Sequence, residues 1–294
     1  MRYPHIYHAV HHEPWLITEA FHHSMAGVLH SRLYGANLDL SQPDPGALTS
    51  AFANRRRELA AAQLLQGCSP WAPAALEDGI ATVFICGVIA KGMTGMEKLC
   101  SGGVGPEDIA RSLRVAAEAT DKIIAYIDSP GGTVGMIPEL GDLVVSLRRS
   151  GKDIRVYSDG QICSAAYWLA AGAKGVYGTR LSSIGSVGVY VPWLDATEAY
   201  AKAGYKVEII KDGKHKGDGY PGTALTEEAK KHILERVQTI GADFRNHVKS
   251  YRPRIAREDM EGLSYDGRQA ATKGFLDGIV GGIEDVRRML KASA

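Results

Sequence analysis

The chain has 294 residues, 45% hydrophobic and 23% charged, enough apolar content to bury a full core in one large domain or one domain plus an extension. Lys plus Arg number 34 against 33 for Asp plus Glu, and a formal charge of +1 excludes a bulk electrostatic case for nucleic acid or an acidic membrane surface as partner. The four cysteines, Cys68, Cys86, Cys100 and Cys163, lack CxxC spacing and read as free thiols of a reducing compartment, and no apolar run approaches the roughly 20 residues a bilayer span needs.

In chain order, the first ~40 residues hold seven of the ten histidines and predict a helix from about Thr18 to Leu33. His8 and His12 stand four apart, but no HExxH arrangement accompanies them, so no metal is expected. Residues 39–49, with Pro43, Pro45 and Gly46, read as a linker, and residues 50–66 as a helix with Arg55, Arg56 and Arg57 on a solvated face. This gives a helical N-terminal extension over residues 1–75 and a main domain over 76–294.

From Ile80 the pattern alternates. The β-branched run 80–89 predicts a buried strand. A helix over 106–119 starts with Pro106, whose missing N–H costs nothing in a first turn. A strand over 122–128, a helix over about 134–149 and a strand over 154–158 follow, which argues for a mainly parallel α/β sheet with right-handed crossovers. Then come a helix over 164–171, strands near 175–177 and 185–191, a helix around 195–203 and a strand over 206–211. The longest helix runs from Leu225 to Tyr251 with Thr226 as its cap, and a C-terminal helix begins near Ile283.

Three segments between these elements carry candidate chemistry. The strand ending at Asp128 runs into Ser129-Pro130-Gly131-Gly132; Ser164 opens an apolar helix; Lys216 lies in the polar, Gly-rich run 211–219. A serine hydroxyl needs a base, and a lysine can serve only when its amine is neutral, which burial or neighbouring cations favour. Gly131 and Gly132, lacking Cβ, can bring backbone N–H groups against an oxyanion, and the helix start after Ser164 offers further donors. Each signal alone also fits a turn, a cap or a loop lysine. Cys163 is a competing nucleophile, but no histidine is placed by motif to deprotonate it. Asp128 reads as a strand end that caps a turn.

Asp128-Ser-Pro-Gly-Gly132, Cys163-Ser-Ala-Ala-Tyr-Trp168, Gly185-Ser-Val-Gly188 and Gly213-Lys-His-Lys216 resemble, in this order, the motifs of signal peptide peptidase A and the capsid-assembly proteases of tailed phages. The resemblance implies a Clp protease/crotonase-like fold of repeated ββα units and a serine endopeptidase with Ser164 as nucleophile, Lys216 as general base and Ser186 orienting the lysine. Gly131 or Gly132, with the N–H of Ala165, would form the oxyanion hole. It also implies cleavage after small residues such as alanine and a homo-oligomer; no cofactor is expected, and the charge balance and the lack of a long apolar run predict neither a nucleic-acid partner nor a membrane anchor. The stretch Glu13-Pro-Trp-Leu-Ile17 looks like the phage branch, whose substrates would be scaffold, portal and major capsid proteins in the host cytoplasm or the prohead. The chain stops at Ala294, so no scaffold role in cis is expected. The alternatives are a bacterial cytoplasmic protease of the same family, a crotonase-type acyl-CoA enzyme and an inactive head component.

Overall fold

The computed structural model describes residues 14–19, 21–23, 25, 26, 64–95, 98 and 102–293. The histidines outside this set, the linker and nearly all of the arginine-rich segment, and Cys100 lie outside the described residues. Cys68 and Cys163 are free thiols.

The elements are β1 (Trp15–Ile17), β2 (Ala74–Glu77), β3 (Ile80–Cys86), α1 (Pro106–Ala119), β4 (Lys122–Asp128), β5 (Gly131–Thr133), α2 (Ile137–Arg149), β6 (Asp153–Ser158), β7 (Gln161–Cys163), α3 (Ala165–Ala171), β8 (Gly175–Gly178) and β9 (Ser183–Gly185), followed by α4 (Thr197–Lys202), α5 (Glu227–Tyr251), β10 (Ser264–Tyr265), α6 (Gly267–Lys273), β11 (Gly278–Ile279) and α7 (Ile283–Ala292). Six strands form one sheet in the order β11-β8-β6-β4-β3-β2, parallel except for the β2–β3 pair. A strand of this sheet, a short strand beside it and a helix recur as β4-β5-α2 and β6-β7-α3, so the expected ββα repeat is present. A third unit starts with β8-β9 and reaches its helix, α6, only after the long excursion over residues 186–263.

Both faces of the sheet are covered, which is why its strands read as continuous apolar runs. In β4, Ile123, Ala125 and Ile127 face the main core, while Ile124 and Tyr126 face a second core closed by Val286 and Leu290 of α7. The apolar stripe of α7 is thus used within the chain. In α5 most of the close packing is in the C-terminal half: Phe244 stacks on Trp168 of α3 at 4.7 Å, whereas in the N-terminal half Ala229 is buried and Leu234 is exposed. Thr226 caps α5 as expected, its Oγ1 accepting from the Ala229 amide at 3.1 Å. Past the end of α5, Arg252 donates to the carbonyls of Ala171 and Ala173 at 3.1 and 2.8 Å and pairs with Asp277 at 2.5 Å, pinning the C-terminal end of α3.

The expected strand over 206–211 does not form. Residues 205–210 are irregular and have no ladder partner among the described residues. Ile210 is 99% exposed and Tyr205 68% exposed.

Candidate active site

Ser164 sits in the turn between β7 and α3, with φ 55° and ψ −116°. Positive φ is costly for a residue with a Cβ and persists only where the surroundings enforce it. Here the Ser164 amide donates to the Gly185 carbonyl at 2.8 Å, and its own carbonyl accepts from Tyr167 and Trp168 in the first turn of α3. The α3 side chains that follow are all buried. Ser164 is itself fully buried, and its Oγ has no hydrogen-bond partner. The amides of Ala165 and Ala166, at the start of α3, have no acceptor within the helix ladder.

The glycine pair approaches from the preceding ββα unit. Gly131 has φ 107°, and a Cβ built on it would lie 2.9 Å from the Cβ of Ser164 and 2.1 Å from the carbonyl oxygen of Leu16. A Cβ on Gly132 would lie 1.6 Å from the Ile89 carbonyl oxygen. Both positions therefore require glycine for close backbone approach, as an oxyanion cradle needs. Ser129 anchors the turn: its hydroxyl donates to the Gly87 carbonyl at 2.7 Å and accepts from the Gly131 amide at 3.2 Å.

Ser186 follows Gly185, and Cys163 pairs with Gly185 in the β7–β9 ladder. Ser164 and Ser186 are therefore the next residues on two adjoining strands, and Ser186 shares the left-handed backbone, with φ 51°. The structure brings Ser164, Ser186, Gly131, Gly132 and Ala165 together. Lys216 is not among them. It is exposed on the segment after the unpaired stretch, and its ammonium makes no hydrogen bond to Ser164.

The competing groups have structural roles. Burial pushes the Cys163 thiol up in pKa, and its Sγ contacts the Ser183 carbonyl at 3.4 Å. A group kept in its thiol form is a poor nucleophile. Asp128 Oδ1 accepts from the Gln161 amide at 3.1 Å, as a turn cap does. His215, Glu228 and His232 could in principle hold a metal, with ligand atoms within 4.8 Å of one another. All three are exposed, and the Lys214 ammonium already sits 2.5 Å from Glu228.

One part of this region was not read from the sequence as belonging to the site. β1 pairs antiparallel with β5, Trp15 opposite Thr133, Leu16 opposite Gly132 and Ile17 opposite Gly131. The edge beside the glycine pair is therefore covered. A three-residue strand shows no periodicity, so its only sequence signal was the short apolar run Trp15-Leu16-Ile17 in a histidine-rich segment. His22 packs against Trp15 and Tyr190 at ring distances of 5.3 and 5.5 Å, a packing role rather than a ligand's.

Residues 146–294 match the family described as Peptidase family S49. The chain is 29% identical to the head-tail preconnector protein GP5 of Enterobacteria phage P21 over 71% of this chain and 40% of that protein. It is 26% identical to the capsid assembly protease C of Escherichia phage lambda over 73% of this chain and 49% of that protein. It thus spans half or less of the length of these two relatives. Among solved structures it is similar to a mutant ClpP1 from Listeria monocytogenes at a TM-score of 0.42 and 13% identity, over 69% of this chain and 92% of that one.

Proposed function

The chain belongs to peptidase family S49, and on that premise we propose that it is a serine endopeptidase in which Ser164 is the nucleophile and Lys216 the general base. The carrying observation is Ser164 itself: a buried hydroxyl without a partner, held at positive φ between a strand and a helix, beside two glycines that no other residue could replace. In this reading Ser164 Oγ attacks the substrate carbonyl and gives up its proton to the lysine amine. The N–H of Gly131 or Gly132 and that of Ala165 receive the negative charge on the oxygen. Ser186 orients the lysine. The exposed Lys216 belongs to a resting arrangement. Its approach to Ser164 would bury the amine and favour the neutral form that a base requires.

The substrates proposed are proteins of phage head assembly, namely scaffold, portal or capsid proteins. The names of the two phage relatives support this, as does the leader-like stretch 13–17 that resembles their branch. Residues 1–75 are an extension of the peptidase domain at 76–294. Exposed Tyr205, Ile210 and Tyr220 flank Lys216 in the sequence and support a homo-oligomer, since large apolar groups left at the surface favour association. Among the described residues, no helix is long and apolar enough to cross a membrane; the proposed setting is the host cytoplasm or the prohead.

The test is labelling by a fluorophosphonate probe, followed by peptide-library digestion read by mass spectrometry. The expected result is a single adduct on Ser164 and peptide-bond cleavage, both lost in Ser164→Ala. Cleavage that survives in Ser164→Ala would overturn the assignment.

A further inference from the structure

The strand position that a substrate would need beside Gly131 and Gly132 is already filled. Ile89 bridges Gly132 on one side of β5, and β1 takes the other. β1 is held from its far side too: Trp15 and Tyr190 exchange both backbone hydrogen bonds, at 2.9 and 3.2 Å. Those bonds turn the N–H and C=O of Trp15 away from β5. In an antiparallel ladder the direction alternates along the strand, so the N–H and C=O of Leu16 face Gly132. The Thr18 amide, donating to the Pro130 carbonyl at 3.0 Å, keeps the same phase.

The consequence is specific to one carbonyl. Leu16 C=O lies against the glycine pair, and the Gly131 position that it crowds is also the one crowded by Ser164 Cβ. A carbonyl about to be attacked must lie there, beside the nucleophile and with its oxygen toward the glycine amides. The Leu16 side chain is fully buried in the main core, while Trp15 and Ile17 point to the opposite face against Val88, Tyr190 and Leu194. Beneath this strand Ser164 has no exposed surface.

We propose that residues 15–17 are an internal ligand of the substrate cleft, an extended peptide with Leu16 in the place of the residue before the scissile bond, so that the site stays closed until this segment is displaced. This rests on the reading of Ser164 as the nucleophile. It also sharpens specificity: the subsite that holds Leu16 takes a leucine-sized aliphatic side chain, larger than the alanine that the family resemblance implied.

The test has one arm that needs no catalysis. In the full chain carrying Ser164→Ala, a fluorescent peptide with the sequence of residues 14–19 is titrated with and without Leu16→Pro, which removes the N–H facing Gly132. Because apparent affinity scales with the open fraction, release of the strand should tighten binding at least about tenfold. Trp15→Ala, which trims the packing on Tyr190 and leaves the ladder chemistry intact, should act in the same direction. In the second arm, with Ser164 present, both variants should hydrolyse short peptides faster, and the unlabelled 14–19 peptide should inhibit them competitively. Tighter binding with no hydrolysis in any form would remove Ser164 as nucleophile and leave the internal ligand standing. Equal peptide affinity with hydrogen exchange showing the strand released would overturn the proposal. Should either variant fail to fold, the unaltered chain decides: the Leu16 and Gly132 amides must be protected from exchange, and full-rate exchange there would also overturn it.

Discussion

The two halves of the proposed dyad sit in opposite kinds of surroundings. Ser164 is enclosed by the β7–β9 ladder, by the buried helix α3 and by the glycine turn after β4, and every bond that fixes its backbone comes from the core. Lys216 follows a stretch with no ladder partner, in a segment whose large side chains Tyr205, Ile210 and Tyr220 are exposed. Segments with few buried contacts open at low free-energy cost, whereas core elements open only with the whole domain. Ser164 is therefore fixed at folding, and the proposed dyad requires Lys216 to arrive afterwards.

Ways to break that comparison can be ordered by the size of the expected effect. Ser164→Ala and Lys216→Ala should each reduce peptide cleavage by at least about 10³-fold, and the double variant should be little worse, since residues acting as a unit are not additive. Lys216→Ala should leave the melting temperature unchanged, because the side chain is exposed. A drop in thermal stability on calorimetry would show that Lys216 already packs against the core.

Gly132→Ala should act on the rigid half alone. Its Cβ would meet the Ile89 carbonyl at 1.6 Å, so the β5 backbone must shift, at a cost of about 1–3 kcal/mol or more in denaturant titration, together with loss of activity. Unchanged stability would mean that the turn is softer than its contacts indicate.

Ile210→Asp should do the reverse. In the isolated chain it should change stability by less than about 0.5 kcal/mol, as substitutions at exposed positions do. Analytical ultracentrifugation should show a shift toward smaller species. An unchanged sedimentation profile would remove Ile210 from any contact between copies.

The smallest expected effect concerns pH. Burial, outweighing the nearby Asp142 carboxylate, holds the His247 imidazole below its ordinary pKa, where it packs on Trp168. A folded-state pKa below the unfolded one means that the unfolded chain takes up the proton first. Stability should therefore be full above about pH 6.5 and decline as pH falls below it, a slope that His247→Gln should reduce. Identical melting curves across that window for both proteins would remove His247 as the source.

How much of this could be read in advance follows the same division. β4 and α1 were legible to the residue, because both faces of β4 are buried and Pro106 marks a first turn. The turn that holds Ser164 was legible because strand, serine and apolar helix follow one another without interruption. Residues 206–211 misled, since β-branched content predicts a strand without saying whether a neighbour exists to pair with it. β1 escaped because three residues are too few to display a period. The placement of Lys216 escaped because a polar, Gly-rich loop carries no pattern that fixes where it rests.

The clamp at the end of α5 has a mechanical side. A helix of 25 residues is about 37 Å long. One end of this rod is fixed to α3 and the residues just after it twice, by the Phe244–Trp168 stack and by Arg252 on the Ala171 and Ala173 carbonyls. The other end, beside the segment that carries Lys216, is held more lightly, by the buried Ala229 and the Lys214–Glu228 ion pair. It is a beam with one strongly built-in end: a load on the exposed turns is carried to α3 as torque, and α3 begins at the residue after Ser164.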